Sequence, residues 1–268
     1  IDGSENNVTK PEPEPETETE PETEDPFYDN FNKKWDYDTI MSKYQKYLVN
    51  APESDEFKSW YDYYLSSYNV DVVVNENNTF DITENIWADF NVSKHGIVRE
   101  IPLKNNVTRL DGTSYLSRAE VSKIAVNKKK SVSSQDDYKS IKIGDKDINL
   151  IGQNQYIISY RYNIGEDKCD GYDEFYFNII GNEWDTYIEN VSFKIEMPKE
   201  FDETKLGFSY GKYGSIDSSD IHYVVEGNTI IGVYDGELAP GEALTVRMEV
   251  EEGYFNGKAI KGNSDRKS

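Results

Sequence analysis

The chain is poor in the residues that most catalytic and metal chemistry needs. Its 268 residues include one cysteine, two histidines and three methionines. No intrachain disulfide or cysteine-built zinc site can be assembled from that stock. Cys169 reads as a lone, semi-buried thiol, because an activated thiolate needs a neighbouring base or cation. With His95 and His222 the only imidazoles, Cys/His catalysis and histidine-rich metal sites start from a poor inventory. Long apolar runs are missing too, and nothing approaches the roughly 18 residues needed to span a bilayer. Positive charge is scarce: 29 Lys and Arg against 51 Asp and Glu leave a net charge of -22. A field of that sign repels phosphate backbones, which excludes nucleic acid as the expected partner. The chain starts at Ile1 rather than at Met, as expected of a trimmed or processed piece of a longer protein.

What the chain does have is aromatic bulk, with 21 Tyr and 11 Phe, enough to build a core that a disordered chain would lack. The bulk is unevenly placed. Residues 1–26 alternate Glu12, Glu14, Glu16, Glu18, Glu20, Glu22 and Glu24 with Pro or Thr, which predicts a stiff, solvated, disordered acidic spacer. Residues 27–68 predict a short helical hairpin. Ile40, Met41, Tyr44, Tyr47 and Leu48 recur at helical spacing behind the caps Asp36 and Asp38. Past Pro52 and Ser54, Phe57, Tyr61, Tyr64, Leu65 and Tyr68 fall on one helical face.

From residue 69 the period changes to two. Val70, Val72 and Val74 lead through the turn-like Asn75–Asn78 to Phe80, Ile82, Ile86, Ala88 and Phe90. Further strands are predicted at 97–102, 119–127, 138–143, 147–151 and 154–163. A second series follows: Phe175, Phe177 and Ile179; Val191, Phe193, Ile195 and Met197; 206–210; 221–225; 229–234; and Leu244, Val246, Met248 and Val250. Short strands with turn signals and no intervening helices predict a mainly β chain of two tandem antiparallel β-sandwiches, 69–165 and 166–256, divided near Gly165. Residues 257–268 are Gly-, Lys- and Ser-rich and read as a disordered tail.

Two charges stand on apolar faces. Glu84 shares the parity of Phe80, Ile82 and Ile86, and Arg99 that of Ile97 and Ile101. Unpaired, each would be costly in a core, whereas an Arg fork satisfies a carboxylate bidentately, so Glu84 and Arg99 are expected to meet as a structural ion pair. The competing reading of Glu84 as a general acid suffers because a neighbouring Arg lowers a carboxyl pKa. His95, just before the same strand, reads as a structural imidazole near that pair.

Glu166, Asp167, Asp170, Asp173 and Glu174 crowd a loop where oxygen ligands could hold Ca2+. The regular spacing of an EF-hand is missing, however, and an acidic chain scatters such clusters, so no metal is assigned. Gly207-Phe208-Ser209-Tyr210-Gly211 has the spacing of a nucleophile elbow but lies in a strand context without the strand-to-helix turn. No phosphate-binding loop or His-Glu-x-x-His is present. No cofactor and no catalytic residue is expected, although paired-carboxylate chemistry carries no short signature.

Six ordered blocks carry a resemblance: Ile82-Thr83-Glu84, HGIVREIP at 95–102, IKIGD at 141–145, GQNQYIISYRY at 152–162, DEFYFNIIGNEW at 173–184 and LAPGEALTV at 238–246. Together, over Tyr68 to Phe255, they resemble the N-terminal domain of the YciQ-like predicted bacterial membrane proteins. The resemblance implies a domain on the extracytoplasmic face of the membrane, a C-terminal membrane anchor beyond Ser268, and no established activity. The expected role is therefore a non-catalytic binding, sensory or scaffolding ectodomain with a cell-envelope protein or glycan as partner. The alternative is a cell-wall glycan-binding module, for which Trp60, Trp87 and Trp184 would supply stacking surface.

Overall fold

The computed structural model describes residues 35–53, 58, 61–108, 112–135 and 137–260. Within them the chain forms α1 (Tyr37–Gln45), β1 (Tyr63–Val74), β2 (Thr79–Lys94), β3 (Gly96–Pro102), β4 (Lys104–Thr108), β5 (Ser114–Arg118), β6 (Glu120–Val126), β7 (Lys130–Ser134), β8 (Tyr138–Gly144) and β9 (Leu150–Asn163). It continues through β10 (Asp173–Ile180), β11 (Val191–Glu196), β12 (Leu206–Gly211), β13 (Ile221–Glu226), β14 (Thr229–Tyr234) and β15 (Ala243–Val250). No helix among the described residues is long and apolar enough to cross a membrane.

Seven strands make the large sheet, in the order β13-β14-β11-β1-β2-β9-β6. Two three-stranded sheets, β10-β15-β12 and β3-β8-β7, and the β4-β5 ribbon complete the set. Alternation explains the layering: Tyr68, Val70, Val72, Phe80, Ile82, Ile86, Tyr156, Ile158, Phe193 and Ile195 are buried on one face of the large sheet. They share a single core with Phe175, Phe208, Val246 and Met248 of one small sheet and Ile97, Ile101, Ile141 and Ile143 of the other. Phe80 packs edge-on to Phe175 with ring centroids 5.3 Å apart, and Phe193 lies 5.2 Å from Phe208.

The division near Gly165 is corrected by this topology. β11, β13 and β14, from beyond Gly165, join β1, β2 and β9 in one sheet, because β1 pairs in parallel with β11 from Tyr68↔Val191 to Val73↔Glu196. Alternation fixes which face a strand buries but not which strand it pairs with, so two tandem sandwiches and this single layered arrangement share one pattern.

The helical hairpin is corrected as well. Its first half forms: the Asp36 side chain caps α1 by accepting from Thr39 N at 2.9 Å, and Ile40 and Tyr44 are buried with Ile231 of β14. Its second half is strand from Tyr63 onward. Residues 64–70 are all buried, on both faces, so they lose the alternation that would have marked them as a strand. Residues 46–53 instead cross the outer face of the large sheet.

The expected spacer 1–26 and residues 261–268 lie outside the described residues. Residues 257–260 do not fit the expected disordered tail: Ile260 and Gly257 pack against Gly165, and Asn256 N donates to Glu76 O at 2.7 Å.

Candidate functional site

Glu84 on β2 and Arg99 on β3 face each other across the two layers. Arg99 Nε donates to Glu84 Oε1 at 3.1 Å and Oε2 at 3.0 Å, and Nη2 donates to Oε1 at 2.8 Å. Tyr160 Oη donates to the same Oε1 at 2.8 Å. Nη1 donates to Glu100 O, and the guanidinium lies 5.7 Å from the Trp184 ring centre. Burial alone would lower the Arg99 pKa, but the Glu84 carboxylate outweighs it and holds Arg99 well above its ordinary value. Burial, with Glu84 beside it, pushes the Tyr160 hydroxyl far up as well.

A second carboxylate approaches from the β10–β11 connection. Glu183 Oε2 stands 3.8 Å from Arg99 Nη1, with 7% of its side chain exposed, and it has no hydrogen-bond partner among the described residues. Burial raises its pKa and Arg99 offsets part of that rise. Gly181 makes the room, since a Cβ there would lie 2.0 Å from Glu183 Oε2.

This cluster borders two connected hollows. A small cavity of about 60 Å3 is lined by Arg99, Ile101, Tyr160, Tyr162 and Phe177. It shares Pro102, Asn105, Tyr176 and Asn178 with an open groove of about 610 Å3, which also touches Tyr138, Glu183, Tyr210, Tyr213 and Arg247. In the β4-β5 ribbon, β4 walls that groove and β5 lines the small cavity. The ribbon is tied down by Arg247, whose Nη1 donates to Thr108 O at 3.1 Å while Nε donates to Glu174 Oε1 at 2.6 Å. Tyr213 projects at the rim, 81% exposed. The volume is that of a small-ligand or peptide-side-chain site.

The other sequence candidates lie apart from it or are spent on structure. His95 Nδ1 sits 3.0 Å from Ile148 O rather than at the Glu84–Arg99 pair. In the acidic loop Asp167 accepts from Cys169 N and Glu174 N, and Asp173 accepts from Phe255 N. With Glu174 held by Arg247, no three metal-type ligands converge among the described residues. Ser209 lies within β12, opposite Thr245 of β15, with no strand-to-helix turn. Of the tryptophans, Trp184 is buried, Trp87 Nε1 donates to Tyr47 O at 2.8 Å, Trp35 stacks on His222 at 4.0 Å, and Trp60 lies outside the described residues. Sequence reasoning missed Glu183, Arg247 and Tyr213. No local signal marked them: Arg247 shares its parity with Thr245 and Glu249, the polar side of its strand pattern.

A family model described as the N-terminal domain of a predicted membrane protein (DUF2207) matches residues 64–250. The chain belongs to that family. No curated protein matches it. Among solved structures, native leukotriene A4 hydrolase from Saccharomyces cerevisiae is similar at TM-score 0.38 and 11% identity, over 78% of this chain and 33% of that one. An M1 zinc metallopeptidase from Deinococcus radiodurans is similar at TM-score 0.36 and 8% identity, over 69% of this chain and 42% of that one. The chain thus spans less than half the length of either of these proteins.

Proposed function

We propose that this DUF2207 domain is the non-catalytic, extracytoplasmic part of a membrane-anchored bacterial protein, and that it binds a cell-envelope partner through the groove beneath the β4-β5 ribbon. The observation that carries the reading is the groove itself, about 610 Å3 of open space rimmed by tyrosines. The buried carboxylates behind it are held, Glu84 by Arg99 and Tyr160, and Glu174 by Arg247. Among the described residues the groove itself is lined by one carboxylate, Glu183, rather than by two facing each other across a cleft, which supports a binding role. The membrane setting comes from the family, and the outward face is part of this proposal, supported by the resemblance described above.

A second reading, a glycan occupant, is favoured by one feature: the exposed Tyr213 lines the same groove as Asn105, Asn106, Asn178 and Asn182. A flat ring and amides in one groove suit a polyhydroxylated chain. The tryptophan argument for the same module does not support it.

A photo-crosslinking residue at position 213, in cells carrying the whole membrane protein, tests the groove. The expected product is an envelope protein or glycan adduct absent when the same residue is placed at the distant, 71% exposed position 151. Equal adducts at both positions, or none at 213, would refute the groove as the binding site.

A further inference from the structure

The outer face of the large sheet carries a block of side-chain N–H donors aimed at main-chain carbonyls. Trp87 and Gln155 are cross-strand neighbours, Asp89 and Gln153 are the next pair outward, and Asn85 precedes Trp87 on the same face. Trp87 Nε1 donates to Tyr47 O at 2.8 Å, and Asn85 Nδ2 donates to Leu48 O at 2.9 Å. Gln155 Nε2 reaches that same carbonyl at 3.2 Å, and Gln153 Nε2 donates to Pro52 O. Every acceptor on residues 47–52 is backbone, so this face holds the main chain of a turn-and-bend segment rather than its side chains. Val49, in the middle of the bound segment, is 81% exposed.

Helix α1 sets the register. Ile40 and Tyr44 are buried with Ile231, Tyr44 Oη donates to Asp71 at 2.5 Å, and Lys43 pairs with Asp235 at 2.7 Å. The donors belong to the family domain, whose match begins at residue 64, whereas the segment that covers them lies before it.

We infer that this face is a peptide-recognition surface of the domain, occupied in cis by residues 35–53 and able to take the same segment from a second copy, so that neighbouring chains exchange straps. A second copy supplies the identical carbonyls and the identical Ile40–Tyr44 anchor, so complementarity is given. Tethering favours the cis state through effective concentration, and crowding of copies in a membrane plane favours exchange.

The test is a fluorescent peptide of residues 35–53 titrated into the full chain. Ile40→Asp places a charge in the α1 anchor and leaves the sheet donors intact. Lys43→Glu, which reverses the surface pair with Asp235, does the same more gently should Ile40→Asp fail to fold. Tryptic cleavage after Lys46 reports release of the strap, and circular dichroism reports the fold. A folded variant with faster cleavage should bind the peptide at least tenfold more tightly than wild type. Adding Asn85→Ala and Gln155→Ala should then remove at least tenfold of that gain. A released strap without peptide binding, binding that survives loss of both amides, or a strap that stays protected in both variants would each overturn the inference.

Discussion

Arg99 reaches across the layers to Glu84 with three charge-assisted hydrogen bonds, and the two side chains are 4% and 1% exposed. Such a pair is costly to break and cheap to replace. Arg99→Met alone leaves a buried carboxylate and should destabilise by about 3–5 kcal/mol. The double variant Glu84→Leu/Arg99→Met should recover most of that loss, because a well-packed apolar pair of similar volume is often neutral. Urea denaturation of wild type, Arg99→Met, Glu84→Leu and the double variant measures the coupling, and additive single effects would show that the pair is not a unit.

Glu183 gives a pH dependence of opposite sense to acid denaturation. Its folded-state pKa lies above the ordinary 4.5. A raised value means the folded state holds the proton more tightly, so the stabilisation is complete below 4.5 and is lost as pH rises through the raised value. Glu183→Gln should therefore be more stable than wild type at pH 8, with the difference shrinking toward pH 4.5. Thermal melts across that range decide it, and a difference that grows on acidification would reverse the assignment.

Gly232 lies opposite Phe193 across β14 and β11, and a Cβ there would come within 2.2 Å of the Phe193 ring. Its backbone is ordinary strand, so the requirement is space rather than conformation. Gly232→Ala should cost about 1–3 kcal/mol by overpacking. Phe193→Leu in the same chain should relieve part of the clash. A double-mutant cycle by chemical denaturation would expose it as a negative coupling between the sites.

The β4-β5 ribbon depends on Arg247. Replacing Arg247 by Met removes the bond to Thr108 O and the ion pair with buried Glu174. Amide hydrogen exchange should rise by at least tenfold in β4 and β5 and stay near wild type in β2 and β9. Uniform exchange throughout would mean that the ribbon is held by something else.

How much of this was legible in the chain follows from what alternation encodes. The parity of Phe80, Ile82 and Ile86 put Glu84 on the inner face, and that of Ile97 and Ile101 did the same for Arg99, so the burial of each charge was written in its neighbours. Pairing partners were not. The parallel β1–β11 contact joins residues more than a hundred positions apart, and no local pattern marks it. β4, β5 and β7 (Lys-Asn-Asn-Val-Thr, Ser-Tyr-Leu-Ser-Arg and Lys-Ser-Val-Ser-Ser) escaped because they are short, polar and largely exposed. The groove wall was lost with them. Tyr64, Leu65 and Tyr68 imitate a helical stripe because β1 is covered on both sides there.

The outward placement of the domain is the claim on which the account leans most, and labelling reaches it directly. Cys169 is 8% exposed and Ile151 is 71% exposed, so Ile151→Cys adds an accessible thiol to this domain, and the intact membrane protein without that substitution supplies the labelling background to subtract. A membrane-impermeant maleimide applied to whole cells should label that variant as fully as it does after lysis. Labelling that appears only once the cells are broken would place the domain inside and contradict the account.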